Sequence, residues 1–209
     1  LDADSTSRAW RVTGDYGTGK SSFALSVARQ HCRGEDALFP VLLTGTRTSL
    51  RGAISSRLRA TISSLGGQVD HSRAPVELLR VLVSMVRQTG LGRGVLLIID
   101  ELGKHLEYAA NHPGDDDIML LQDLGEAAAR SASTPVVVMV ILHQGMHDYA
   151  RNLPTVERQE WEKVAGRYEE IIFGSELAHV APVAVRALSI DVDALPEATT
   201  AAASSMMAA

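Results

Sequence analysis

The stretch Val12 to Ser21, VTGDYGTGKS, decides how the rest of the chain is read. Gly14, Gly19, Lys20 and Ser21 fall in the spacing G-x-x-x-x-G-K-S. They come directly after Ala9 to Thr13, which has strand character, and directly before Phe23 to Gln30, which reads as helix. Strand, glycine loop and helix in that order form the setting that a phosphate-binding loop requires. Glycines let the backbone curl until successive N–H groups point inward at phosphate oxygens, and the helix that follows adds its positive N-terminal end. On this reading Gly14, Asp15, Tyr16, Gly17, Thr18, Gly19, Lys20, Ser21 and Ser22 make the cradle. Lys20 neutralises the β- and γ-phosphates, and the Ser21 hydroxyl takes a coordination position on magnesium. The competing reading is a glycine turn with a surface lysine. The strand in front of the loop counts against it, and so does a second, acidic strand.

That second strand is Val95 to Glu101, VLLIIDE. Five apolar residues ending in Asp100-Glu101 describe a central parallel strand that delivers two carboxylates to its carboxyl end, where ligands of open α/β sheets bind. A carboxylate pair at the end of so apolar a strand is costly unless it is used. Asp100 is therefore assigned to magnesium, directly or through water, and Glu101 to the water that attacks the γ-phosphate. Further on, Pro135 opens the most apolar strand, Val136 to Gln144, VVVMVILHQ. If this strand is a parallel neighbour, His143 and Gln144 emerge on the same rim as Asp100 and become candidates to touch the γ-phosphate or the water. His105, His112 and His147 share no ligand spacing with a cysteine, so no metal site beyond magnesium is expected.

The remaining segments fit around these three. Leu38 to Gly45 reads as a buried strand, and two helices follow, Thr48 to Leu65 and Ala74 to Gln88. The second has Pro75 at its start, Gly90 beyond its end and Leu78, Leu79, Leu82 and Val86 at helical spacing. Gly103 to Asp117 is polar and rich in turn formers, which predicts a loop, and Asp115 to Asp117 can cap the helix after it. Thr155 to Gly166 predicts a helix with Trp161 and Val164 inward, and a short final strand ends at Phe173. Glu176 to Leu188 reads as helix, and from Ala198 the composition collapses to small residues that cannot form a core. The expected organisation is a core over 1–175, a linker or the start of a helical lid over 176–197, and a tail over 198–209. The 209 residues are 45% hydrophobic and 22% charged with a net charge of −5, which suits one soluble α/β domain and gives no basic field for nucleic acid. One cysteine, Cys32, excludes an internal disulfide and fits a reducing, cytoplasmic compartment; no apolar run approaches a membrane span. The start at Leu1, a dozen residues before the glycine loop, suggests a domain of a longer protein.

With both motifs in place, residues Ala9 to Phe173 resemble the AAA+ and STAND branch of the P-loop ATPases. GDYGTGKS matches the Walker A loop of that branch and VLLIIDE its Walker B strand. The resemblance implies a three-layer α/β fold with a five-stranded, mainly parallel sheet in the order 5-1-4-3-2, its helical lid missing or only begun. It also implies magnesium-dependent ATP binding and hydrolysis. His143 and Gln144 fall where the family has its first sensor, although asparagine, serine or threonine is more usual there. Gly166-Arg167-Tyr168-Glu169 is similar to the G-R-F-D segment, whose arginine enters the neighbouring subunit's site; this implies that Arg167 acts in trans within a homo-oligomer. An ion pair of Arg167 with Glu169 or Glu170 is the alternative. DELGKHLEYA, ILHQ and EWEKVAGRYEEI are similar to ATPase modules of large bacterial proteins, some of them in anti-phage defence. DNA or protein substrates would be reached through further domains. Two readings stay open, an ATPase motor or switch and a nucleotide-gated scaffold with slow hydrolysis. A GTPase is disfavoured because no N-K-x-D segment is present, and a small-molecule phosphotransferase because no acceptor-site motif is.

Overall fold

The computed structural model describes residues 7–34, 36–112 and 117–174. Its elements in chain order are β1 (Ala9–Gly14), α1 (Lys20–His31), β2 (Leu38–Thr44), α2 (Leu50–Ser64), α3 (Pro75–Gln88), β3 (Gly94–Asp100), α4 (Gly103–Asn111), α5 (Asp117–Ala129), β4 (Val136–Ile141), α6 (Met146–Tyr149), α7 (Thr155–Ala165) and β5 (Glu169–Phe173). The strands form one parallel sheet in the order β2-β3-β4-β1-β5. This is the expected order, read from the other edge. Because all strands point the same way, the ends of β1, β3 and β4 come out together on one rim.

Burial follows from position in the sheet. β4 is buried along its whole length and β3 up to Asp100, as continuous apolar runs covered on both faces require, whereas the edge strands β2 and β5 alternate in exposure. On one face Val95, Leu97, Ile99, Val138 and Val140 pack against Ile54, Leu58, Leu79, Leu82, Leu121 and Leu124 of α2, α3 and α5. On the other, Leu96, Ile98, Val137 and Met139 pack with Ala24 and Ala28 of α1. Each fully buried Leu, Ile or Val contributes about 1.5–3 kcal/mol. Leu78, Leu79, Leu82 and Val86 of α3, and Trp161 and Val164 of α7, are buried as their spacing predicts. Cys32 is half-buried, and burial pushes its thiol pKa up, which suits a structural thiol.

Three expectations need correction. The segment after Glu101 is helical to Asn111, because Leu106, Ala109 and His105 turn inward at helical spacing under the sheet's rim. Asp117 is the first residue of α5, yet its buried carboxylate caps α2, accepting from the backbone N–H of Leu50 (2.6 Å) and Arg51 (2.9 Å) and from Ser49 Oγ (3.0 Å). β4 ends at Ile141, so His143 and Gln144 stand on the turn beyond the strand. The helix expected over 176–188, the tail and both proposed domain boundaries lie outside the described residues.

Candidate functional site

The site begins where β1 runs out. Gly14, at φ 148°, touches the edge strand so closely that a Cβ there would collide with the Phe173 carbonyl. Gly17 and Gly19 take left-handed φ values of 80° and 89°, and α1 starts directly after Gly19 at Lys20. In this arrangement Lys20 closes the loop on itself. Its Nζ donates to the carbonyls of Gly14 (2.6 Å) and Asp15 (2.5 Å), and Thr18 Oγ1 lies 3.3 Å away. Lys20 is only 8% exposed. Burial lowers its pKa, and the charges of Asp15 and Asp100 pull it back up.

Opposite the loop, β3 delivers Asp100. Its Oδ1 accepts the Glu101 N–H at 2.8 Å, and its carbonyl accepts the Gly45 N–H at 2.7 Å. Glu101 sits at φ 53°, a left-handed conformation that costs a non-glycine residue about 1–2 kcal/mol. The Leu102 N–H to Ile141 carbonyl bond (3.0 Å) and the Gly45 bond hold the chain on either side of it. Strain of this kind is characteristic of functional positions. Glu101 Oε2 accepts from Lys104 Nζ at 2.5 Å, an ion pair within the first turn of α4.

Between the loop and this strand lies a cavity of about 390 Å³, lined by Tyr16, Gly17, Gly19, Lys20, Ser21, Ser22, Asp100, Glu101 and His143. Arg47, Lys104, Glu107, Ile141 and Leu142 also line it, with Arg47 Nε 2.9 Å from Glu107 Oε2. Ser21 and Asp100 thus meet in one cavity as oxygen donors, the donor set that magnesium takes. His143 stacks on Tyr16 with ring centroids 4.8 Å apart and 20° between the planes. Tyr149 meets His143 edge-on, its Oη 3.0 Å from Nδ1. Gln144 does not line the cavity and instead contributes a hydrogen bond to the Tyr149 side chain. A wider open groove of about 950 Å³ lies between α3 and α5 at the opposite end of the sheet and contains none of the motif residues.

Arg167 is apart from all this. It precedes β5, at the amino end of the sheet, while Phe173 at the far end of β5 is level with Gly14. At about 3.3 Å per residue, this leaves roughly 15–20 Å between Arg167 and the glycine loop. Its guanidinium pairs with Glu126 Oε1 of α5 at 3.0 Å. It pairs with neither Glu169 nor Glu170; Glu170 receives Arg11 (3.0 Å) and the Thr13 hydroxyl (3.1 Å) instead. Tyr168 beside it is buried and donates to the Leu121 carbonyl at 2.7 Å. His105 is fully buried with Nδ1 2.7 Å from the Thr48 carbonyl. Sequence reasoning missed Arg47, Lys104 and Tyr149. The signal for Lys104 was its place three residues after Glu101; nothing in the sequence marked the other two.

No family model and no curated protein sequence matches the chain. Solved structures do. The Aeropyrum pernix ORC2 protein in its ADPNP–ADP complexes matches 88% of this chain and 47% of its own length, with a TM-score of 0.59 and 13% identity. The ADP form of the same protein matches 86% of this chain and 46% of its own, with a TM-score of 0.56 and 14% identity. The fold is that of the AAA+ P-loop ATPases. This chain spans about half the length of the ORC2 chains it matches. Among the described residues, no helix is long and apolar enough to cross a membrane.

Proposed function

We propose that the chain is a magnesium-dependent ATP-binding and ATP-hydrolysing module, a motor or switch within a longer cytoplasmic protein. The observation that carries this reading is the convergence of Lys20, Ser21, Asp100, Glu101 and His143 on one cavity at the carboxyl ends of β1, β3 and β4. Structures of ORC2 with ADP and ADPNP support nucleotide as the ligand of this fold. The absence of an N-K-x-D segment favours adenine over guanine.

The chemistry is positioning and electrostatics. Lys20 leaves the Gly14 and Asp15 carbonyls for the β- and γ-phosphates, exchanging dipoles for full charges. Ser21 and Asp100 would hold magnesium, which would supply positive charge to the phosphates. Glu101 lets go of Lys104 and orients the attacking water, while His143 faces the γ-phosphate from the β4 turn. Arg167 of a neighbouring copy supplies the last positive charge in an assembled protein, and substrates such as DNA or protein are engaged through further domains.

A second reading is a nucleotide-gated scaffold that hydrolyses slowly. The Lys104–Glu101 pair favours it, because it occupies the carboxylate that hydrolysis needs. Calorimetric titration and turnover measurements separate the two. Lys20→Ala abolishes magnesium–ATP binding on either reading, and unchanged affinity would remove the loop from the site. Glu101→Gln keeps binding and loses ~100-fold or more in turnover if the chain is an ATPase. Tight binding with negligible turnover in the unaltered full-length protein selects the scaffold.

A further inference from the structure

Three rings meet in a row that starts in the wall of the cavity and runs away from it. Tyr16 is 76% exposed on the glycine loop, His143 lies flat against it, and Tyr149 of α6 stands perpendicular to His143 with centroids 5.6 Å apart. β4 ends two residues before His143, so no strand ladder fixes the histidine. Tyr16 holds it only from the solvent side, being largely exposed on the glycine loop. Tyr149 is 9% exposed and anchored. Its Oη lies 3.0 Å from Nδ1 and 3.4 Å from Nε2 of His143, receives the Gln144 side chain, and fills the space over Gly103, where any Cβ would collide with it. Gly103 is two residues beyond Glu101. One hydroxyl therefore touches both the helix that follows the acidic strand and the turn that carries His143.

We propose that Tyr149 is a positioning residue, acting through His143, and that residue 103 is glycine so that the Tyr149 hydroxyl can reach it. This rests on the ATPase reading above. Nδ1 is the nearer of the two ring nitrogens, and when the hydroxyl donates to it the proton of the neutral ring stays on Nε2; on this proposal Tyr149 thus selects the tautomer of His143 as well as its orientation. Burial raises the Tyr149 pKa above its ordinary value of 10, which keeps the hydroxyl neutral across the range in which histidine titrates.

The test uses the full-length protein and two independent readouts. Tyr149→Phe keeps the ring and removes the hydroxyl. It lowers kcat about tenfold, the scale of one lost hydrogen bond in the transition state, with KM for ATP and nucleotide affinity unchanged. The ¹⁵N imidazole spectrum of His143 moves from the Nε2-protonated form to a tautomer mixture. Gly103→Ala, which keeps the hydroxyl but takes its space, reproduces both changes. Tyr149→Phe added to His143→Ala causes no further loss, since both act through one ring. An unchanged imidazole spectrum overturns the proposal, as does an unchanged kcat in an active protein or a double variant whose losses multiply. If the unaltered protein does not hydrolyse ATP, the ATPase reading fails, and the imidazole spectrum alone decides whether Tyr149 holds His143.

Discussion

Two lysines of the site are engaged within the chain: Lys20 donates to two loop carbonyls, and Lys104 holds the carboxylate of Glu101. Lys20 is buried against its two carbonyls and must exchange them for phosphate oxygens when nucleotide enters. Lys104 holds the Glu101 carboxylate, but both side chains are well exposed, at 45% and 40%. An exposed pair of this kind contributes about 0–1 kcal/mol, which bounds its effect on turnover to roughly fivefold. Lys104→Met is expected to raise kcat about two- to threefold and to leave the denaturation midpoint where it is. Steady-state kinetics with ATP check this. A fall in kcat with a rise in KM would instead assign Lys104 to the phosphates, as a second cation of the site.

Among the elements, the Asp117 cap is the cross-link with the largest local consequence. Asp117→Ala strips two backbone N–H groups of α2 and the Ser49 hydroxyl of their acceptor, and urea denaturation is expected to show a loss of about 2–3 kcal/mol. A loss below about 0.5 kcal/mol would mean that water replaces the carboxylate. This cap also shows where sequence reading stops. β3 and β4 are legible because burial on both faces forces continuous apolar runs, and the glycine loop is legible because its chemistry dictates fixed residue types at fixed spacing. α4 is not, since only Leu106 and Ala109 among its apolar residues turn fully inward and glycine opens it. Asp117 on α2, Arg47 on Glu107 and Tyr149 over Gly103 join residues about 50–70 positions apart. Such pairings follow from the folded topology, and no local pattern announces them. Asp100, Glu101 and His143 come together because they stand at or just beyond the ends of parallel strands, and Lys20 and Ser21 because the glycine loop carries them from the end of β1 to the start of α1.

At the scale of the whole molecule the question is whether one copy suffices. Arg167 and the glycine loop stand at opposite ends of the sheet, so the arginine cannot serve its own cavity. The Arg167 side of its pair with Glu126 is 44% exposed and the Glu126 side half-buried, so the pair costs on the order of 1 kcal/mol to break, which leaves the guanidinium available to a neighbour. Mixing full-length Arg167→Ala protein with full-length Lys20→Ala protein is expected to restore hydrolysis, because the second supplies an intact arginine to the intact cavity of the first. Activity no greater than that of the two separate variants would leave Arg167 as a partner of Glu126 alone. Placing donor and acceptor at opposite ends gives each copy a polarity. An open row of n copies would complete only n − 1 sites and waste one arginine, while a closed circle would complete all n. Specific activity would then climb with protein concentration and reach its plateau only when the last gap shuts, so that the rate of hydrolysis itself counts the free ends.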